Sequence, residues 1–335
     1  VAALDPAVAA IRTAVRTVLR SDDTSGPVFI ACSGGADSLA LAAAAAFLAP
    51  RCGRPVGLIT VDHGLQDGSA GRAAAVADWA RDAGLTPAVV ATVDVTGRPG
   101  GPEAAAREAR YEALVRTAAA HGAGAVLLGH TRDDQAETVL LALLRGSGPR
   151  GLAGMPQRRD LAGVTLVRPL LELSREQTRA ACTALGLTPW EDPHNSDPAF
   201  ARTHARTLLR SFADAMGDSV VANLARTAGL VAADTAVLDD LAAAARSASG
   251  AAADGSAAAG LRVDALAALP VAVRSRVLHG WARELGAPGS ALSYRHVAAL
   301  DALVVGWRGQ GPVHLPGGVR VARRHDRLVL ADNSF

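Results

Sequence analysis

Six consecutive residues, Ser33-Gly34-Gly35-Ala36-Asp37-Ser38, have the chemistry of a phosphate cradle. They follow the apolar run Val28-Phe29-Ile30-Ala31-Cys32 and lead into a helical pattern that begins at Ala36. A helix that starts behind two glycines presents free backbone N–H groups, and the positive end of its dipole, to an anion. The hydroxyls of Ser33 and Ser38 add two donors. Asp37 carries the wrong charge for phosphate itself, so it either holds Mg2+ beside a polyphosphate or caps the helix. A plain strand-to-helix turn is the alternative, but few turns need two glycines flanked by two serines.

Three further clusters carry chemistry. Asp62-His63-Gly64 closes a second apolar run; Asp62 and His63 suit the ribose or adenine side of a nucleotide, and Gly64 permits close backbone approach. In Pro102–Tyr111 a spacing of four puts Glu103, Arg107 and Tyr111 on one helical face, with Arg110 nearby. An inward arginine there can hold a phosphate or the carboxylate of a small substrate, whereas an outward one makes a solvated ion pair. In the third cluster, His130-Thr131-Arg132-Asp133-Asp134-Gln135-Ala136-Glu137, Asp133 and Glu137 share a helix face and Asp134 lies on the adjoining one. Three carboxylates beside a histidine can receive an ammonium group, bind Mg2+ or take protons from an amine nucleophile. Acidic residues also favour a helix N-terminus for dipole reasons alone.

These clusters need elements that bring them to one edge. Continuous apolar runs over 27–32, 55–61, 86–93 and 125–130 alternate with helical patterns over 36–49, 69–83, 102–121 and 132–145. That βαβα rhythm predicts an α/β fold, a doubly wound parallel sheet with its ligand at the carboxyl ends of the strands. Farther on, a strand is expected at 164–167, a helix at 174–185, and a polar loop over 188–200. From about 204 the pattern is mostly helical. A second, mainly helical domain is placed at 216–335, after a catalytic domain of 1–215. It contains a small-residue hinge over 246–260 and ends in a β-hairpin within 311–332.

At 335 residues the chain can bury two cores, and a balance of 34 basic against 32 acidic residues names no partner. All 34 basic residues are arginine, which removes Schiff-base chemistry and the Walker A phosphate loop with its obligatory lysine. The charge is uneven: 19 arginines face 21 acids over 1–199, and 15 face 11 over 200–335. The C-terminal part is therefore the better place for a polyanion. Arg202, Arg206 and Arg210, four apart, form a basic stripe on a helix, and Arg320, Arg323, Arg324 and Arg327 form a second group. Cys32, Cys52 and Cys182 make no C-x-x-C and no zinc spacing, which suits a reducing cytoplasm. Leu39–Ala49 is too short and too alanine-rich to span a membrane, and the arginines at 12, 16 and 20 interrupt any signal peptide. Gly146–Gly151 spells G-x-G-x-x-G but follows a helix and contains Pro149, so the dinucleotide-binding context fails.

The phosphate cradle resembles the PP-loop of the ATP pyrophosphatases, which cleave ATP between its α and β phosphates. The longer series SGGADS, VDHGLQ, PEAAAREARY, GHTRDDQAETVLLALLRGSGPRGLAGM, RPLLELSRE and EDPHNSDPAFAR resembles the tRNA(Ile)-lysidine synthase family across residues 27–215. That resemblance implies a ligase that adenylates the oxygen on carbon two of the wobble cytidine in a CAU-anticodon tRNA(Ile). The amine of free L-lysine then displaces AMP to give lysidine. It implies ATP bound by Ser33, Gly34, Gly35, Ala36, Asp37, Ser38, Asp62 and His63, with Mg2+ on Asp37. It implies Asp37, His130, Asp134 and Glu137 as catalytic residues, Asp133, Asp134 and Glu137 around the lysine amine, and Arg107 on the lysine carboxylate or activated base. Arg202, Arg206 and Arg210 would contact tRNA, and a homodimer is a further expectation. Thr131 stands where the family commonly has a second histidine. The competing readings are a PP-loop tRNA thiolase, which needs positioned cysteines, and a non-catalytic adenine-nucleotide-binding module, which needs the loop but not the carboxylates.

Overall fold

Val28-Phe29-Ile30-Ala31 is apolar at every position because both faces of its strand are covered. Val28 and Ile30 enter one core with helical residues Val8, Ile11, Leu41, Ala45 and Leu48, while Phe29 enters another with Tyr111, Leu114 and Ala118. The computed structural model describes residues 4–21, 26–64, 68–94, 102–191, 201–248, 260–289 and 291–331, with backbone alone at 102–104. It divides into two compact units, Val1–Ala232 and Ala233–Phe335.

The first unit carries the α/β fold. Its elements are α1 (Pro6–Leu19), β1 (Val28–Ala31), α2 (Ala36–Cys52), β2 (Val56–Asp62), α3 (Ser69–Asp82) and β3 (Ala88–Thr92). After these come α4 (Pro102–Ala120), β4 (Ala125–Leu128), α5 (Arg132–Leu144), α6 (Pro149–Leu152), β5 (Arg158–Leu161), β6 (Val164–Val167), α7 (Arg175–Ala184) and α8 (Ala201–Met216). The sheet order is β3-β2-β1-β4-β6-β5, parallel except for the antiparallel edge strand β5. The chain winds outward in one direction from β1 to β3 and then crosses back to β4. The switch point therefore lies between β1 and β4, where a doubly wound sheet opens its ligand crevice. Ala31 pairs with Leu128, so Ser33 and Gly129 leave the sheet side by side.

Local chemistry sets the helix starts. Asp5 caps α1 by accepting from the amides of Ala7 and Val8 at 2.8 and 3.3 Å. Ser174 and Gln177 cap α7 reciprocally: the Gln177 amide donates to Ser174 Oγ at 3.2 Å and the Ser174 amide to Gln177 Oε1 at 2.9 Å.

A long helix, α9 (Ser219–Ala248), runs through the division at 232/233, whereas the expected boundary at 216 falls just before it begins. Its side chains change core along its length. Val221 and Leu224 pack with α5 and α8, while Leu238 and Ala242 belong to the core of the second unit. That unit continues with β7 (Leu261–Arg262), α10 (Val263–Ala267), α11 (Val271–Glu284), α12 (Tyr294–Val305), β8 (Val313–His314), β9 (Arg320–Arg324) and β10 (Arg327–Leu330). The expected terminal hairpin is β9–β10, and it forms the middle of a four-stranded sheet ordered β7-β10-β9-β8. Most of the expected hinge, residues 249–259, and residues 192–200 of the polar loop lie outside the described residues.

Candidate active site

The phosphate cradle is built by close backbone packing. Gly34 turns the chain with φ +84°, and Gly35 caps α2 with no side-chain hydrogen bond, leaving the first amides of the helix uncovered by side chains. Ser38, buried in the first turn, ties the loop together: its Oγ donates to Gly35 O at 3.0 Å and accepts from the Ser33 amide at 3.1 Å. Opposite, Gly129 has no room for a side chain. A Cβ there would lie 2.9 Å from Ser38 N and 3.0 Å from the carbonyl carbon and oxygen of Asp37. The carboxyl end of β4 thus packs directly on the first turn of α2. Trp190 closes the other side, its amide donating to Gly34 O at 2.9 Å and its ring lying under the Arg72 guanidinium at 4.4 Å.

Next to this loop lies an acidic cluster arranged around one arginine. Arg175, the first residue of α7, sends Nη2 to Asp134 Oδ1 at 2.8 Å and to Glu137 Oε1 at 3.0 Å, and its Nε lies 3.8 Å from Asp37 Oδ2. Its backbone amide donates to Asp133 Oδ2 at 2.9 Å, which makes Asp133 a cap for α7. Burial opposes the guanidinium charge, but Asp134, Glu137, Asp37 and Asp133 outweigh it and raise the Arg175 pKa above the ordinary arginine value. Asp37 does not cap α2: its carboxylate accepts from the Thr178 hydroxyl of α7. Burial raises its pKa to about 6, against the opposing effect of Thr178.

Asp134 is also held locally, by the Thr131 amide at 2.8 Å and hydroxyl at 3.1 Å. Thr131 therefore serves as a donor that orients this carboxylate. Burial alone would raise the Asp134 pKa, but Arg175, His130 and the Thr131 amide bring it below the ordinary value. Glu137, only 1% exposed, accepts on Oε1 from Arg175 and, at 2.7 Å, from Arg206 Nε; its Oε2 is buried without a partner. His130 is pushed down to about 3 by desolvation, with Arg110, Arg168 and Arg107 adding to the effect against Asp134. Its Nδ1 is likewise buried without a partner. At neutral pH it is an uncharged imidazole and a weak proton acceptor.

One cavity of about 780 Å³ joins the two clusters. Ser33, Gly35, Ala36, Asp37, Ser38, Asp62, His63, His130 and Asp134 line it together with Arg202, Arg206 and Arg210 of α8. Asp62 accepts from the Ser69 hydroxyl and, at 3.0 Å, from the Gly64 amide, which together keep its carboxyl below the usual value. Arg107 is not on the wall: its Nη2 donates to the Tyr111 hydroxyl at 3.3 Å, and Arg110 lines the cavity instead. Gly34, Asp133 and Glu137 stand just behind the wall. Sequence spacing also missed Arg175, Thr178 and Trp190. The only local sign of the first two was the Ser174–Gln177 capping box that announces α7.

Among the described residues no three His, Cys, Asp or Glu side chains form a cage able to hold a metal by themselves. Asp37 and Asp134 beside a phosphate cradle do fit Mg2+, which binds through one or two carboxylates plus the substrate's own phosphates.

A family model described as a PP-loop domain matches residues 9–211, and one described as a TilS substrate binding domain matches residues 261–329. The tRNA(Ile)-lysidine synthase of Salinispora tropica is 66% identical over 99% of this chain and 98% of its own length. The chain belongs to the tRNA(Ile)-lysidine synthase family. The protein of that name from Streptomyces coelicolor is 50% identical over 97% of this chain and 98% of its own length. In this member of the family the PP-loop domain, which contains Ser33–Ser38, is the ATP-using part. A U34-tRNA thiolase from Methanococcus maripaludis shares the fold, with a TM-score of 0.55 and 17% identity over 67% of this chain and 78% of its own.

Proposed function

We propose that the protein ligates free L-lysine to carbon two of the wobble cytidine in a CAU-anticodon tRNA(Ile), producing lysidine. The observation that carries this reading is the single cavity in which a phosphate loop, a buried carboxylate cluster and the arginines of α8 converge. Adenylation turns the cytidine carbonyl oxygen into a good leaving group as pyrophosphate departs, and attack by the lysine ε-amine then expels AMP. The loop amides and the Ser33 hydroxyl hold the phosphates, while Ser38, whose hydroxyl donates to Gly35 O, braces the loop. Mg2+ on Asp37, when bound, neutralises charge on the departing pyrophosphate.

The lysine ε-ammonium must lose a proton before it attacks. Asp134 and Glu137 provide the negative field that receives the cation, while His130, at about 3, serves as a neutral hydrogen-bonding group and not as the base. Arg110, Arg202 and Arg210 are the cavity arginines for the base and its neighbouring phosphates, and Arg107 supports them through Tyr111. Arg206, already on Glu137, orients that carboxylate.

Thiolation is disfavoured by the state of the cysteines. Burial pushes the Cys182 thiol up to about 11 and raises Cys32 as well, so neither is a thiolate at neutral pH. A bare nucleotide-binding module would not need the Arg175-centred carboxylates. Leu208, Phe212 and Met216, exposed four apart along α8, supply an apolar stripe suited to a homodimer. A tRNA substrate supports a cytoplasmic location. Among the described residues no helix is long and apolar enough to cross a membrane.

The test is incubation with ATP, Mg2+, lysine and unmodified tRNA(Ile), followed by mass spectrometry of the digested nucleosides. The expected product is a wobble cytidine heavier by one lysine less one water. Unmodified cytidine from a preparation that binds ATP tightly would refute the reading.

A further inference from the structure

Aromatic residues make up 3% of this chain, and its four tryptophans are disposed unequally. Trp281 is fully buried in the core of the second unit, and Trp79 packs against the core of the first. Trp307, just past the end of α12, is 43% exposed.

Its neighbours hold it in that position. The Arg323 guanidinium lies 4.8 Å from the indole centroid and covers one face of the ring. That guanidinium is itself fixed: Nη1 donates to Leu303 O and Val304 O at 3.0 and 3.3 Å, and Nε donates to His325 O at 3.1 Å. Farther along the loop, Gln310 Oε1 accepts from the Arg308 amide at 2.6 Å, and its Nε2 donates to Ala302 O at 3.3 Å. The last carbonyls of α12 are thus satisfied by two side chains that also brace the tryptophan loop. An indole held out in this way loses little further freedom when a partner arrives.

The surrounding charge indicates what that partner is. Residues 306–331 contain five arginines, 308, 320, 323, 324 and 327, against one acid, Asp326. Arg308 and Arg324 are exposed, and Arg320 and Arg327 are half-buried on the two strands of the hairpin. A braced aromatic face amid arginines fits an unpaired nucleotide, whose base stacks on the ring while adjoining phosphates meet the guanidinium groups.

We propose that Trp307 is a stacking platform for an unpaired base of the tRNA, with Arg308 and Arg324 taking the flanking phosphates. The assignment rests on the tRNA substrate proposed above. It explains why a tryptophan is kept out of an apolar core a few residues away and why its loop is pinned.

The experiment compares the full-length wild type with Trp307→Ala, Trp307→Phe and Arg324→Gln. Fluorescence anisotropy of labelled tRNA(Ile) transcript is read over a range of salt, and lysidine formation is measured at saturating tRNA. Trp307→Ala is expected to weaken tRNA binding about tenfold, while kcat and the KM values for ATP and lysine stay at wild-type values. Its salt dependence should match the wild type, because stacking releases no counterions. Trp307→Phe, which keeps a π-face, should restore most of the affinity. Arg324→Gln should lower the slope of log affinity against log salt by about 0.7–0.9.

Wild-type tRNA affinity in Trp307→Ala overturns the proposal, as does a Phe variant as weak as the Ala variant. A change in sedimentation of Trp307→Ala with unchanged tRNA affinity would assign the indole to a protein contact instead and likewise overturns it. Binding is read separately from catalysis. Failure of the wild type to form lysidine would therefore remove the function proposed above while leaving the Trp307 comparison readable.

Discussion

Gly129→Ala adds one methyl group and removes no functional group, yet it tests how the phosphate loop is held. The new Cβ would sit 2.9 Å from Ser38 N and 3.0 Å from two backbone atoms of Asp37, where ordinary contact starts at 3.4 Å. Neither neighbour is a flexible side chain, so relief requires the end of β4 and the first turn of α2 to part by roughly 0.5 Å. Overpacking of this kind costs about 1–3 kcal/mol, and for a unit of this size each kcal/mol lowers Tm by about 2–4 °C. Because the moving part is the loop that holds ATP, kcat/KM for ATP should fall about tenfold, half on a logarithmic scale of the roughly hundredfold loss that a 1 Å misplacement produces. The assay is thermal unfolding together with lysidine formation at varied ATP. Gly280→Ala serves as the control: Gly280 lies within α11 with open space around its Cβ position, so the same substitution should be neutral or stabilise by up to about 1 kcal/mol. Wild-type melting and wild-type kcat/KM in Gly129→Ala would show that the close backbone approach does not position the loop.

Arg175→Met removes two charged hydrogen bonds, to Asp134 and Glu137, each worth about 1.5–3 kcal/mol; Glu137 keeps Arg206, so a net loss of about 3 kcal/mol is expected by denaturant unfolding. A variant as stable as the wild type would mean that the guanidinium does not neutralise the cluster. For Asp37→Asn the sign follows from a native pKa raised to about 6 against an unfolded value of about 3.9. The native state binds the extra proton, so the stability it confers is fully present below about pH 4 and is lost as pH rises through 6. Without nucleotide or Mg2+, Asp37→Asn should therefore exceed the wild type by about 2 kcal/mol at pH 7.5, after allowance for a side chain that is a quarter exposed. It should converge with the wild type below pH 4, and it should make no lysidine. Equal stability of the two proteins at pH 7.5 would count against a strained Asp37.

Features that depend on short stretches of chain were legible before the fold was known. The run from Val28 to Ser38 contains its strand, its two glycines and its helix start in eleven residues, and the structure places α2 from Ala36 as the pattern requires. The parallel strands were legible because both their faces are buried, which leaves unbroken apolar runs. β7 and β8, two residues each, leave no such run, so only the central hairpin of the second sheet was visible. The passage of α9 from one core to the other is invisible in a sequence that stays alanine-rich throughout, and the division into compact units falls within that helix.

The site divides along the same physical line. Helical spacing put Arg107 and Arg110 near one another but could not say which faces the cavity, because residues three apart differ by only about 60° around the axis. Arg206 read as part of a basic stripe for tRNA with Arg202 and Arg210, and only the approach of α8 to α5 turns it onto Glu137. Arg175 is separated in sequence from Asp134 by 41 residues and from Glu137 by 38, and nothing within α7 marks it as their counter-ion. Two of the three acidic side chains nearest it, Asp134 and Glu137, are nearly buried, and its guanidinium reaches both. The spacing of the carboxylates allowed an ammonium group, Mg2+ or the proton of an amine as their counterpart, while the fold brings them a guanidinium of the protein's own. A lysine ε-ammonium entering this cluster must compete with a guanidinium already seated there. Lysine should accordingly bind more tightly once the AMP-activated base and its phosphates have drawn the cavity arginines toward themselves.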